Sequence, residues 1–140
     1  MSKRELISIQ SRVRATLENT WLSYTAPEHI VEWNQASKDW HCLAALSDFE
    51  VGGTFSYKMA AKDGSYQFDF EGQFIFIDYL KCIRFILSDG RKVEVLFQAE
   101  GADETMVKLT VQAEDENPIA LQTSGWQGIL DSFSEYTSKL

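Results

Sequence analysis

The stretch Tyr66-Gln67-Phe68-Asp69-Phe70-Glu71-Gly72-Gln73-Phe74-Ile75-Phe76 decides the fold. In an extended chain successive side chains point to opposite sides. Tyr66, Phe68, Phe70, Gly72, Phe74 and Phe76 therefore share one face, with Gln67, Asp69, Glu71 and Gln73 on the other. This is a half-buried strand with an aromatic inner face. It is long, and Gly72 is expected to mark a bulge or bend that lets the sheet curl.

Working outward, the same period of two continues on both sides. Phe55, Tyr57 and Met59 alternate with Ser56, Lys58 and Ala60 between Gly52-Gly53 and the turn Asp63-Gly64. Cys82 to Leu87 leads to a second turn at Asp89-Gly90, and Val93, Val95 and Phe97 alternate beyond it. Val107, Leu109 and Val111 form the last strand. Strands joined by tight turns make an antiparallel meander.

The ends of the chain differ. Leu6, Ile7, Ile9 and Val13 read as an opening strand over about residues 4–14. A short helix over 16–24 follows, with Leu17, Trp21 and Leu22 on one side. Pro27 opens a second short helix with Thr25 as its cap, an apolar face of Ile30, Val31 and Trp33, and Asn34 as its stop. After Pro118, Ile119, Trp126, Ile129, Leu130, Phe133 and Tyr136 recur at helical spacing. Asn117 is the expected cap. Gly125 and Gly128 inside this helix each cost about 1 kcal/mol against Ala, which points to a close approach of backbone or ligand.

The 140 residues suit one domain over 1–140. Apolar residues at 44% can fill a core without disulfides or metals. The net charge of -8 argues against phosphate backbones and anionic membrane surfaces as partners. Cys42 and Cys82 have no metal-ligand spacing, so neither a metal nor another cofactor is expected. No leader and no membrane-spanning run are evident, and the expected location is cytoplasmic.

Several motifs in order resemble the bacterial relatives of the heat-shock-protein-90 ATPase activator, within the START-like (SRPBCC) superfamily. They are Trp33 to Cys42, Val51 to Met59, Ala61 to Ser65, Phe68 to Gly72, and Gly125 to Leu130 with Phe133. Two positions depart from the pattern. Ala15-Thr16 stands where the family has Ala-Pro, and Leu43 where a Pro often follows Trp-His-Cys. The resemblance implies an α+β helix-grip fold. A curved antiparallel sheet of six or seven strands wraps around the long C-terminal helix, with two short helices after the first strand. It also implies a cavity between sheet and helix for a small apolar molecule.

The candidate ligand-binding residues are Trp33, Trp40, His41, Phe55, Tyr57, Phe68, Phe70, Phe74, Trp126 and Phe133. About half of such rings are needed merely to fill the interior of a domain this size. His41 is the one candidate general acid or base. A loop-holding His is the plainer reading, and no Ser-His-Asp set accompanies it. Cys42 neighbours His41 but should face the other way. Asp69 and Glu71 lie on the solvent face, and Glu114 to Glu116 form a solvated turn. The first expectation is therefore a carrier or sensor, as a monomer or weak dimer. A cyclase- or hydrolase-type enzyme using His41 comes second. A chaperone-binding module comes third, since the eukaryotic activators resemble this chain only in their C-terminal half.

Overall fold

A computed structural model describes residues 4–140. Its elements are β1 (Leu6–Val13), α1 (Leu17–Thr25), α2 (Pro27–Trp33), β2 (Trp40–Ser47), β3 (Thr54–Ala61), β4 (Gln67–Asp78), β5 (Cys82–Leu87), β6 (Lys92–Gly101), β7 (Glu104–Gln112) and α3 (Ile119–Thr137). The seven strands form one antiparallel sheet in the order β1-β7-β6-β5-β4-β3-β2. The expected architecture holds: a curled sheet, α3 against its concave face, and two short helices after β1.

Turn chemistry fixes the hairpins. Gly64 and Gly90 have φ of 79° and 93°, which a side chain would resist. Asp63 and Asp89 each accept a bond from the backbone N–H two residues on.

The edges are managed differently. Side chains of α3 stitch it to β1: Ser134 Oγ donates to the Arg12 carbonyl at 2.8 Å and Gln127 Nε2 to the Gln10 carbonyl at 3.1 Å. These bonds satisfy backbone groups that an edge strand would leave open. At the opposite edge, α2 packs against β2.

Several local expectations are corrected. Gly72 is not bulged; it pairs regularly with Phe55 and Leu87. A Cβ there would lie 2.6 Å from the Phe55 ring and 2.8 Å from the Ile86 carbonyl, so clearance explains the glycine. The bulge falls at Ile75 instead. It sends Phe76 to the outer face opposite Arg84, whose guanidinium lies 4.7 Å from the ring centre, and brings Ile77 inward. A second bulge at Leu43 leaves an unpaired position where the family often has Pro.

The helix ends also differ. Thr16 caps α1 by accepting from the Asn19 N–H, but Leu22 faces out and Thr20, Trp21 and Ser23 are buried. Thr25 does not cap α2; its hydroxyl donates to the Trp21 carbonyl within α1. Pro118, not Asn117, is the N-cap residue of α3, and Ile119 is exposed. Gln122 closes that end: its Oε1 accepts from the Glu114 N–H, and its Nε2 donates to the carbonyls of Glu114 and Asn117.

Candidate functional site

A cavity of about 100 Å³ lies between the inner faces of β3, β4 and β5 and the helices. Its size follows from how the walls are held. Trp33 donates its indole N–H to the Ser23 carbonyl at 2.8 Å, and Ser132 Oγ donates to the Trp33 carbonyl at 2.8 Å. The Ser23 and Thr137 hydroxyls meet at 2.7 Å. These buried bonds lock α1, α2 and α3 together, while α3 is also bound to β1. Among the described residues no hydrogen bond ties the far wall, β3 and β4, to α3, and ring contacts span the gap. Phe70 meets Trp126 edge-on, with centroids 6.1 Å apart.

The rings stack in two groups. Phe55 lies on Tyr57 at 4.9 Å, and Tyr57 and Phe70 are nearly parallel at 6.3 Å. On the helical side Tyr24 stacks on Trp33 at 5.3 Å and meets Phe133 edge-on at 5.2 Å. Phe133 is fully buried, whereas Phe68 also lines the cavity but is 40% exposed. The cavity therefore comes closest to solvent at Phe68.

Eight of the ten candidate residues line this space: Trp33, Phe55, Tyr57, Phe68, Phe70, Phe74, Trp126 and Phe133. Trp40 stands outside the lining, with its ring 6.0 Å from Tyr66 and 5.9 Å from Phe68. His41 is also outside. It pairs with Ala60, which alternates with the cavity-lining Tyr57 and Met59, so its side chain lies on the opposite face of the sheet. Cys42 pairs with Met59 on the inner face and is buried. The two residues do point apart.

Sequence reasoning overlooked Tyr24, Asn34 and Phe49 as lining residues. Tyr24 follows Leu17, Thr20 and Trp21 at helical spacing, a signal that was present. Asn34 and Phe49 lie outside the regular elements, where periodicity has nothing to say. Among the described residues no charged side chain lines the cavity. Burial raises the Tyr24 and Tyr57 phenols well above their ordinary value of 10.0, so both stay protonated. Burial likewise raises the Cys42 thiol, against a smaller lowering by its bond to the Ala44 carbonyl.

A second hollow, of about 510 Å³, runs along the outside between α3 and the segment joining α2 to β2. It is larger but shallow, and Glu32, Lys38, Asp131 and Lys139 line it. A largely enclosed apolar space surrounds a small molecule better than an open polar groove does.

A curled antiparallel sheet gripping a C-terminal helix defines the START-like class. Within it, the family model described as Activator of Hsp90 ATPase homolog 1-like protein matches residues 14–138. The chain belongs to that family. The AHSA1-like protein of Aeromonas hydrophila is 41% identical, with 96% of this chain and 93% of that one covered and a TM-score of 0.89. A Cytophaga hutchinsonii protein is 43% identical over 95% of this chain and 92% of its own, at a TM-score of 0.81. A Nitrosomonas europaea protein shares the fold at 15% identity, with 99% of this chain and 97% of that one covered and a TM-score of 0.82. No curated protein matched the chain. Among the described residues no helix is long and apolar enough to cross a membrane.

Proposed function

We propose that this protein binds a small hydrophobic molecule between its sheet and C-terminal helix, as a carrier or sensor. The observation that carries the reading is the ring-lined cavity of about 100 Å³. Close packing normally leaves few voids larger than a water molecule. A dry apolar cavity of roughly 150 Å³ takes up benzene, so the space here, about two-thirds as large, takes one ring with a small outward movement of its walls. A lipid acyl chain would need the walls to part.

The enzyme alternative draws no support from His41, which sits across the sheet from the cavity. A chaperone partner has only the family description behind it. Native mass spectrometry of protein purified from its own cells, joined to an NMR titration with toluene, tests the binding reading. A retained small molecule, or saturable shifts at Trp126 and Phe133, supports it. An empty protein whose cavity resonances ignore toluene overturns it.

A further inference from the structure

The cavity wall is apolar except at a few places. Tyr24, Asn34 and Tyr57 line the space, and among the described residues neither the Tyr24 phenol nor the Asn34 side-chain amide makes a hydrogen bond, while the Tyr57 phenol has only Ser47 beside it. Asn34 is only 7% exposed. The other polar side chains of the lining are satisfied: the Thr25 hydroxyl donates to the Trp21 carbonyl and the Trp33 indole to the Ser23 carbonyl. Ser47 pairs with Phe55 on the inner face, and its Oγ is buried without a partner. It lies beside the Tyr57 phenol, close enough to offset slightly the rise that burial gives that group.

Buried polar groups are nearly always hydrogen-bonded, because an unmade bond leaves the group's lost hydration uncompensated. The buried Asn34 amide and the half-buried Tyr24 and Tyr57 phenols around one cavity are thus fitted to a polar group that arrives with the ligand. The phenols come from opposite walls, Tyr24 from α1 and Tyr57 from β3. Each is held by ring stacking, Tyr24 on Trp33 and Tyr57 on Phe55. Their donors are therefore positioned before a ligand enters.

The charge of that ligand is also constrained. With no cation in the lining, a carboxylate would lose its hydration without gaining a counter-ion. The chain's net charge of -8 opposes its approach as well.

Building on the binding reading above, we infer that Tyr24, Asn34 and Tyr57 form a polar anchor. It selects an uncharged aromatic molecule of about one ring that carries a hydrogen-bond acceptor such as a carbonyl. Fatty acids and other anionic amphiphiles are excluded by the same chemistry.

Three probes of nearly equal shape test this at pH 7 by calorimetry or NMR titration: acetophenone, α-methylstyrene and benzoate. They differ in having a neutral acceptor, no acceptor, or a charge. A cavity without an anchor favours α-methylstyrene, because burying an unbonded carbonyl is unfavourable. The anchor predicts that acetophenone binds at least as tightly as α-methylstyrene and about 100-fold or more tighter than benzoate. The double variant Tyr24→Phe with Tyr57→Phe should weaken acetophenone about tenfold and leave α-methylstyrene within about twofold. The α-methylstyrene measurement also reports whether the variant's cavity is intact. Tighter binding of α-methylstyrene, or equal losses for both neutral probes, removes the anchor but keeps the cavity reading. Strong benzoate binding overturns the neutrality of the ligand. Failure of all three probes removes the anchor and the binding reading together.

Discussion

The sheet is solid along β1, β7 and β6 and hollow along β3 and β4, although both ends follow the same alternating pattern. In the solid end, Val13, Val93, Val95, Val107 and Val111 are buried to within 2%. Their compact branched side chains interlock beneath a helix tied to β1 by hydrogen bonds. At the hollow end the inner positions carry Phe55, Tyr57, Phe68 and Phe70, and Tyr57 and Phe70 remain only half-buried. Flat rings meet edge-on or stacked, and stiff planes leave gaps that short aliphatic groups would fill. The helix is anchored on one side, so the rings must bridge the distance on the other. The same pattern thus makes a solid core at one end and a cavity at the other.

Removing a ring from the solid end should have the largest effect. Phe97 is buried against Trp21 and Tyr24 at 5.0 and 5.6 Å, and lies outside the cavity lining. Phe97→Ala should cost about 4 kcal/mol in urea unfolding. A loss below about 1 kcal/mol would mean that this end is not close-packed.

The next effect concerns the frame. A Cβ on Gly128 would collide with the Ala36 carbonyl. Gly128→Ala should destabilise by about 2 kcal/mol despite its better helix propensity, read from the same unfolding curves. A stabilised variant would show that the segment joining α2 to β2 yields freely.

Alkali should act next, and mainly on the hollow end. The phenols of Tyr24 and Tyr57 and the thiol of Cys42 are all raised by burial. Above their ordinary values, 9.0 for the thiol and 10.0 for the phenols, the unfolded chain releases protons that the folded chain keeps. Stability is therefore full at neutral pH and falls as pH rises past about 9. Urea unfolding from pH 7 to 11 checks the sign, and a flat profile would contradict the burial of these groups.

Phe68→Ala, at the cavity's outer edge, should cost only about 1 kcal/mol because the ring is 40% exposed. It should nevertheless weaken toluene binding, measured by NMR titration. A Cβ on Gly125 meets nothing within 4 Å, so Gly125→Ala should stabilise by about 0.5–1 kcal/mol in thermal or urea unfolding. Destabilisation there would place an unseen contact beside the helix.

Much of the fold was legible because it rests on short-range rules. Period-two alternation marked the strands, Asp63-Gly64 and Asp89-Gly90 marked the hairpin turns, and the period near 3.6 marked α3. The failures came where one inserted residue or one tertiary contact mattered more than periodicity. The bulge at Ile75 turned Phe76 outward, and nothing local distinguishes it from its neighbours. Gly72 carried the expected signal of irregularity, but its reason is the Phe55 ring from an adjacent strand. Gln122 reads as a polar helix residue, yet it closes the start of α3.

The sequence by itself determined most of the inward-facing residues within each regular run, since alternation and helical spacing are properties of the local chain. It also determined the family, through motifs spread along its length. Only the tertiary structure decided that the inward rings stop short of filling the interior. That outcome depends on where α3 is tied and how stiff rings from distant segments meet. It likewise decided that His41 lies across the sheet, and that Tyr24 and Asn34 join Tyr57 around one space. Hydrogen-bond partners, present or missing, come from elements far apart in the chain.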